Sequence, residues 1–205
     1  MKISILAPLS VALACASGAT FATPAAVGQP APVFSTTDVD GKAVALTDFK
    51  GKTVVLEWVN PECPYVRKHY GAANMQATQK AAVDKGVVWL AINSTAPDAT
   101  DYLKPAALGD WMKSQKAAAT ATLMDENGKV GRAYGARVTP HMYVIDAKGT
   151  LVYAGAIDNK PTARASDIPG ATNHVNAALT EVLAGKPVSL ASTQPYGCTV
   201  KYSSM

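Results

Sequence analysis

The sequence predicts an α/β protein: a central mixed β-sheet flanked by helices, with an N-terminal β-hairpin and a C-terminal tail. Three observations carry this expectation. An apolar run at residues 53–59 is followed by helical apolar spacing (Val66, Tyr70, Ala73, Ala77) and by a second apolar run at 87–92. That is a βαβ unit, so its two strands should be parallel with a right-handed crossover. Two later strand patterns, 142–145 and 151–156, are separated by the short turn Asp146-Ala-Lys-Gly149, which makes them antiparallel and the sheet mixed. Finally, residues 33–37 and 42–46 flank Asp38-Val-Asp-Gly41, which reads as a β-hairpin.

The remaining elements follow in chain order. Residues 23–32, rich in Pro, Ala and Gly, form an extended arm. Asp38, Asp40 and Gly41 faintly match a calcium loop, but the other ligands are missing and a turn suffices. One helix is expected from Pro64 to about Asp84, where Lys85-Gly86 stops it, and another over residues 106–118, whose alanine run is helix propensity. Residues 120–124 read as a strand and 130–134 as a short helix ended by Gly135. A polar loop spans 158–170. Val175, Ala178, Leu179, Val182 and Leu183 form one face of a last helix, capped near Thr172 or Asn173 and closed by Gly185.

Length and composition bound the function. The 205 residues suit one domain with a full core, and 48% apolar with 17% charged residues is ordinary globular composition. The net charge of +4 is scattered, with no basic run to track a phosphate backbone, so no nucleic-acid partner is expected. Residues 1–22 look like a secretory signal: Lys2, an apolar stretch over 3–16, then Thr20-Phe-Ala22 at the cleavage position. Cleavage after Ala22 would leave residues 23–205 as one domain, its tail at 186–205, in the periplasm or secreted; losing Lys2 takes the charge from +4 to +3. The apolar stretch is too short to span a bilayer. Contact with a membrane is expected only if Cys15 is lipidated, Ala12-Leu-Ala-Cys15 being a weak match to a lipid-attachment box.

The chemistry concentrates at Cys63, where the first buried strand passes into a helix. A thiol at a helix N-terminus meets free backbone N–H groups and the positive end of the dipole, and both favour thiolate. Pro64 suits the first helical turn, and Arg67 and Lys68 add positive charge one turn on. The competing reading is a small buried hydrophobe at a packed junction. Glu57 shares a strand face with Val55 and Val59; it either relays protons to the thiol or simply meets a polar partner. Without residues 1–22 two cysteines remain, Cys63 and Cys198, and an exported chain with two offers a single disulfide, either a static staple or a redox pair.

A hairpin, a βαβ unit with a cysteine at the start of its first helix, and Thr139-Pro140 leading into an antiparallel strand pair together resemble the thioredoxin fold over roughly residues 27–185. Glu57-Trp-Val-Asn-Pro-Glu-Cys63-Pro-Tyr-Val-Arg67 resembles the segment that carries Trp-Cys-x-x-Cys-Lys in thioredoxins, and Val138-Thr-Pro140 resembles their cis-proline loop. Val27-Gly-Gln-Pro-Ala-Pro-Val-Phe34 and Leu46-Thr-Asp-Phe-Lys-Gly51 resemble the redoxin branch, which includes the peroxiredoxins (alkyl hydroperoxide reductase and thiol-specific antioxidant). The departures matter. Val66 stands where thioredoxins carry their second cysteine, Asn60 where peroxiredoxins carry Thr or Ser, and Pro140 about where they carry an arginine. Arg67, Arg132 and Arg137 are the candidates to replace that arginine in space, and Gly197-Cys198 fits the C-terminal Gly-Cys of peroxiredoxin-like proteins.

The resemblance implies an exported thiol-disulfide oxidoreductase with redox-active Cys63 attacking and Cys198 resolving, and Asn60, Pro64, Arg67, Thr139 and Pro140 around the thiol. Its substrate would be a disulfide-containing protein or a small peroxide, its electron donor a thiol, and no cofactor or metal is expected. Two other classes stay open. One is a copper-binding protein using Cys63 with His141, a poor donor set; His69 and His174 are expected on solvated helix surfaces. The other is a non-catalytic binding module with a structural disulfide.

Overall fold

The computed structural model describes residues 24–204. The expected signal segment 1–22 and Cys15 lie outside the described residues. The strands are β1 (Ser35–Asp38), β2 (Ala43–Ala45), β3 (Val54–Trp58), β4 (Val88–Asn93), β5 (Ala121–Met124), β6 (Val138–Thr139), β7 (His141–Ile145), β8 (Leu151–Gly155) and β9 (Cys198–Thr199). The helices are α1 (Pro64–Gly71), α2 (Asn74–Val83), α3 (Pro105–Ser114), α4 (Lys129–Tyr134) and α5 (His174–Leu183). Seven strands form one sheet in the order β2-β1-β5-β4-β3-β7-β8. The β3–β4 and β4–β5 pairs are parallel, and β3–β7 and β7–β8 antiparallel, which is the mixed sheet expected from the sequence.

Strand alternation divides the core into two layers. Val55, Val59, Trp89, Met142 and Val144 face Val66, Tyr70 and Met75 of α1 and α2 and Val175 of α5. Leu56, Trp58, Leu90, Ile92, Tyr143 and Ile145 face α4. The N-terminal arm closes this second layer, with the Gly28 and Ala31 N–H groups donating to the carbonyls of Leu151 and Gly149. Burial of this much aromatic and aliphatic surface, at about 25 cal/mol per Å² of apolar area, is the main force holding the sheet between its helices.

The structure corrects two expectations. The single helix expected over 64–84 is two, because the chain turns at Ala72 and Ala73, where Ala73 adopts φ +55°. The Gln76 side chain donates to the Tyr70 carbonyl at 2.8 Å and to the Gln115 carbonyl at 2.7 Å, so the freed carbonyl at the break is satisfied. The second correction is His69, expected in solvent but fully buried at the end of α1. His174, at the start of α5, is half-buried.

The tail is packed along most of its length. Thr193 Oγ1 lies 2.7 Å from the Tyr153 hydroxyl, and its N–H donates to Ala154. Further on, the Val200 N–H donates to Arg137 O at 2.9 Å, the Lys201 carbonyl accepts from the Ala96 N–H at 2.8 Å, and Tyr202 donates to Ala136 O at 2.7 Å. No helix among the described residues is long and apolar enough to cross a membrane.

Candidate active site

Cys63 sits where the C-terminal end of β3 turns into α1. It is the N-cap residue of the helix, with Pro64 exposed in the first turn. Asn60 shapes the turn before it: its Oδ1 accepts from the Glu62 N–H at 2.8 Å, and its amide donates to Thr95 Oγ1 and Asp101 Oδ2. Asn60 therefore fixes the loop that delivers the cysteine, its side chain bonding the Glu62 N–H within that loop and two residues after β4.

Opposite stands the Thr139–Pro140 bond, which is cis, as the resemblance implied. The Cys63 thiol donates to the Thr139 carbonyl at 3.0 Å. Thr139 and Pro140 are buried, and the Thr139 hydroxyl has no partner among the described residues. The short strand β6 just before Pro140 pairs antiparallel with β9, in the register Val138 to Thr199 and Thr139 to Cys198. The tail thus runs along the residues that touch Cys63 and places the second cysteine beside the first, although 198 − 63 = 135 positions separate them.

The two thiols differ in exposure: Cys63 is only 2% exposed, whereas Cys198 is half-buried. Burial first, and then the hydrogen bond and charge of Cys63, push the Cys198 thiol well above the usual cysteine range; Lys201 pulls weakly the other way. Gly197 makes the close approach possible. At φ +143° a Cβ there would lie 2.0 Å from the Thr139 carbonyl oxygen, so only glycine lets the tail lie flat on this loop.

Two of the three candidate arginines are engaged by other groups. Arg67 donates to the Pro61 carbonyl and pairs with Glu62 at 2.7 Å, both side chains more than half exposed. Arg132 stacks on the Tyr202 ring and donates to the Ser203 carbonyl. Arg137 is exposed next to β6. His141 packs on Tyr143 in the layer opposite Cys63, and burial pulls its pKa down to about 3. Among the described residues no group of three or more His, Cys, Asp or Glu is placed to hold a metal ion.

Glu57 is fully buried in the same layer as Cys63. It accepts from Tyr70, Gln79 and Trp89 at 2.9, 3.0 and 2.7 Å. Burial raises its pKa to about 7 against the lowering effect of these donors. Of the two readings of Glu57, the polar partners are the one with atoms attached; they come from α1, α2 and β4, and none is a cysteine.

A cluster that sequence reasoning missed flanks the tail. Tyr196, two residues before Cys198, donates its hydroxyl to Asp158, and its ring meets Tyr65 edge-on at 5.7 Å. Lys68 and His69 of α1 close on the same carboxylate, at 3.7 and 4.0 Å, with side chains of Lys68, His69 and Asp158 all at most 2% exposed. The one sequence signal was an aromatic residue directly before Gly197-Cys198 in a polar tail.

Comparison with known proteins agrees with this geometry. A profile of the AhpC/TSA family matches residues 27–154, from the arm to β8 and short of the tail. Thiol-disulfide oxidoreductase ResA of Bacillus thuringiensis subsp. konkukian is 30% identical over 133 residues, covering 62% of this chain and 67% of that protein. A similar protein of the same name from Geobacillus thermodenitrificans is 28% identical over 136 residues, covering 63% and 68%. Among solved structures, an uncharacterized conserved protein from Geobacillus kaustophilus superposes with a TM-score of 0.73 at 28% identity, covering 88% of this chain and 94% of that one. The thioredoxin domain of a thiol-disulfide oxidoreductase from Bacteroides vulgatus does so with a TM-score of 0.51 at 23% identity, covering 71% and 96%. With the mixed sheet, the cysteine at the start of α1 and the cis proline facing it, these findings establish that the chain belongs to the AhpC/TSA family and is a thioredoxin-fold oxidoreductase.

Proposed function

We propose that the protein is an exported thiol-disulfide oxidoreductase whose redox centre is the pair Cys63 and Cys198. The observation that supports this best is the β6–β9 register, which sets Cys198 against the residue whose carbonyl accepts from Cys63. In the oxidising half-cycle the Cys63 thiolate attacks one sulfur of a substrate disulfide, and the other sulfur leaves as a thiolate. Cys198, deprotonated, then attacks the Cys63 sulfur, closing the Cys63–Cys198 disulfide and releasing the reduced substrate. A thiol donor regenerates the dithiol with two electrons. The half-exposed Cys198 is the sulfur a donor meets first, and Cys63 is then the leaving group.

Disulfide exchange is favoured over peroxide reduction. Peroxide cleavage calls for positive charge or donors at the departing oxygen, yet of the three candidate arginines Arg67 is engaged by Glu62 and the Pro61 carbonyl, Arg132 by Tyr202 and the Ser203 carbonyl, and Arg137 is exposed beside β6. The substrate is then a disulfide-containing protein, and the location periplasmic or secreted through residues 1–22. Cys198→Ser should leave the first step and remove the second, so the variant accumulates a mixed disulfide on Cys63 with a protein substrate and loses multiple turnover. Wild-type turnover by Cys198→Ser, or by Cys63→Ser, would reject the assignment.

A further inference from the structure

The segment around Tyr196 lies between two anchored stretches of the tail. Upstream, the tail is fixed at Thr193, whose hydroxyl also accepts from the Ala156 N–H at 2.9 Å. Downstream, it is fixed by β9 and by the Lys201 ion pair with Asp101 at 3.0 Å. Between these anchors lie Gln194, Pro195, Tyr196 and Gly197. Of these, Tyr196 is the one whose side chain reaches the body of the protein: Gln194 bonds only to the Pro195 carbonyl, and glycine and proline have no polar side chain to offer.

What Tyr196 reaches is rigid and charged. The Asn74 amide is 2.8 Å from His69 Nδ1, which leaves Nε2 to carry the imidazole proton and donate to the Tyr196 oxygen at 3.2 Å. The Tyr196 hydroxyl in turn donates to Asp158 Oδ1, which also accepts from the Lys160 N–H. Lys68 Nζ lies 3.7 Å from Asp158 Oδ2 and 5.6 Å above the Tyr196 ring, and donates to the Lys160 carbonyl at 2.9 Å. A buried ion pair of this kind keeps its geometry, because leaving either charge alone would cost several kcal/mol. The same helix, α1, carries Cys63 at its N-terminus. The cluster therefore ties the residue two before Cys198 to the helix that presents the other thiol.

We propose that Tyr196 is a positioning residue: by locking onto the Asp158, Lys68 and His69 cluster it holds Cys198 in line with Cys63 and sets the effective concentration of one thiol at the other. This deepens the proposed function and rests on it. Closing a disulfide within the chain depends on that effective concentration. Releasing the 194–197 segment lowers it and makes the Cys63–Cys198 bond easier to reduce.

The test is the reduction potential of the full-length Tyr196→Phe variant, equilibrated against glutathione and against dithiothreitol and quantified by thiol labelling. Phe keeps the ring against Tyr65 and Lys68 and removes only the hydroxyl. A tenfold loss of effective concentration moves the couple by about 30 mV toward less negative values. A Cys63→Ser background supplies a second readout, in which alkylation of Cys198 by iodoacetamide accelerates at least threefold when Tyr196→Phe is added. A purely structural role lowers the melting temperature and leaves both readouts where they were; that result in a folded variant overturns the proposal. Should Tyr196→Phe not fold, Tyr65→Leu, which removes the half-buried ring on the other side of Tyr196, tests the same claim and must move the potential in the same direction. If the wild type forms no Cys63–Cys198 couple at all, the proposed function falls; if it forms one that Tyr196→Phe and Tyr65→Leu leave unchanged, only the clamp does.

Discussion

Glu57→Gln should remove a pH dependence of stability that the native chain carries in its core. Glu57 is buried with three donors around it and titrates at about 7 in the folded protein against an ordinary 4.5. Because its folded pKa is raised, the native state holds a proton between pH 4.5 and 7 that the unfolded chain has released. Stability therefore falls as pH rises through this window. At 1.36 kcal/mol per pKa unit the cost at pH 8 is about 3 kcal/mol relative to pH 4. Two buried histidines act in the opposite sense. Burial lowers His69 to about 4 and His141 to about 3, so the unfolded chain takes up protons below pH 6.5 that the native state refuses, and stability falls on acidification. The informative quantity is therefore the difference between wild type and Glu57→Gln, in which the histidine contributions cancel. Gln is isosteric and keeps an oxygen for Trp89 and Gln79, while its amide can donate to the Tyr70 oxygen. Urea unfolding followed by tryptophan fluorescence at pH 4, 6 and 8 should show the variant gaining about 3 kcal/mol on the wild type between the two extremes. A difference that is flat with pH would refute the assignment of a near-neutral pKa to this carboxyl.

Gly197→Ala places a methyl group 2.0 Å from the Thr139 carbonyl oxygen, so the tail must lift from β6. The cost is about 1–3 kcal/mol of local strain. Disulfide closure in stopped-flow thiol labelling should slow at least tenfold, while the melting temperature of the sheet moves little. Arg67→Ala removes an ion pair between two well-exposed side chains, so stability should change by less than about 1 kcal/mol. Its reaction rate with a model disulfide should stay within a few-fold of wild type, since Glu62 and Pro61 hold the guanidinium; a loss of a hundredfold would instead put Arg67 at the sulfur.

Much of this architecture was legible because local pattern and tertiary structure agree. The buried strands at Val54–Trp58 and Val88–Asn93 are apolar except for Glu57 and the terminal Asn93, and a strand covered on both faces needs little else to be recognised. The start of α1 was marked by Cys63-Pro64, and the cis proline by Val138-Thr-Pro140. The break between α1 and α2 was not legible, because alanine at 72 and 73 signals helix and the turn is set by Gln76 and Asn74 reaching back to Tyr70 and His69. The burial of Lys68 and His69 was hidden for a related reason. Charged residues on a helix read as surface, and the partner that draws them inward, Asp158, lies in what looked like a polar loop ninety residues away. The reach of the tail was readable only as the presence of a second cysteine; its register on β6 depends on Gly197 fitting over the Thr139 carbonyl, a contact between two backbones that no side-chain pattern encodes.

The central claim is that Cys63 and Cys198 form a disulfide that cycles. Its most direct test is peptide mass mapping of the folded protein poised across a series of dithiothreitol ratios, with free thiols alkylated at each step. The expected result is one Cys63–Cys198 cross-linked peptide that appears and disappears as a single two-electron couple without unfolding, and that is absent in Cys63→Ser and in Cys198→Ser. A cross-link that yields only when the protein is denatured, or two thiols that never join, would contradict it.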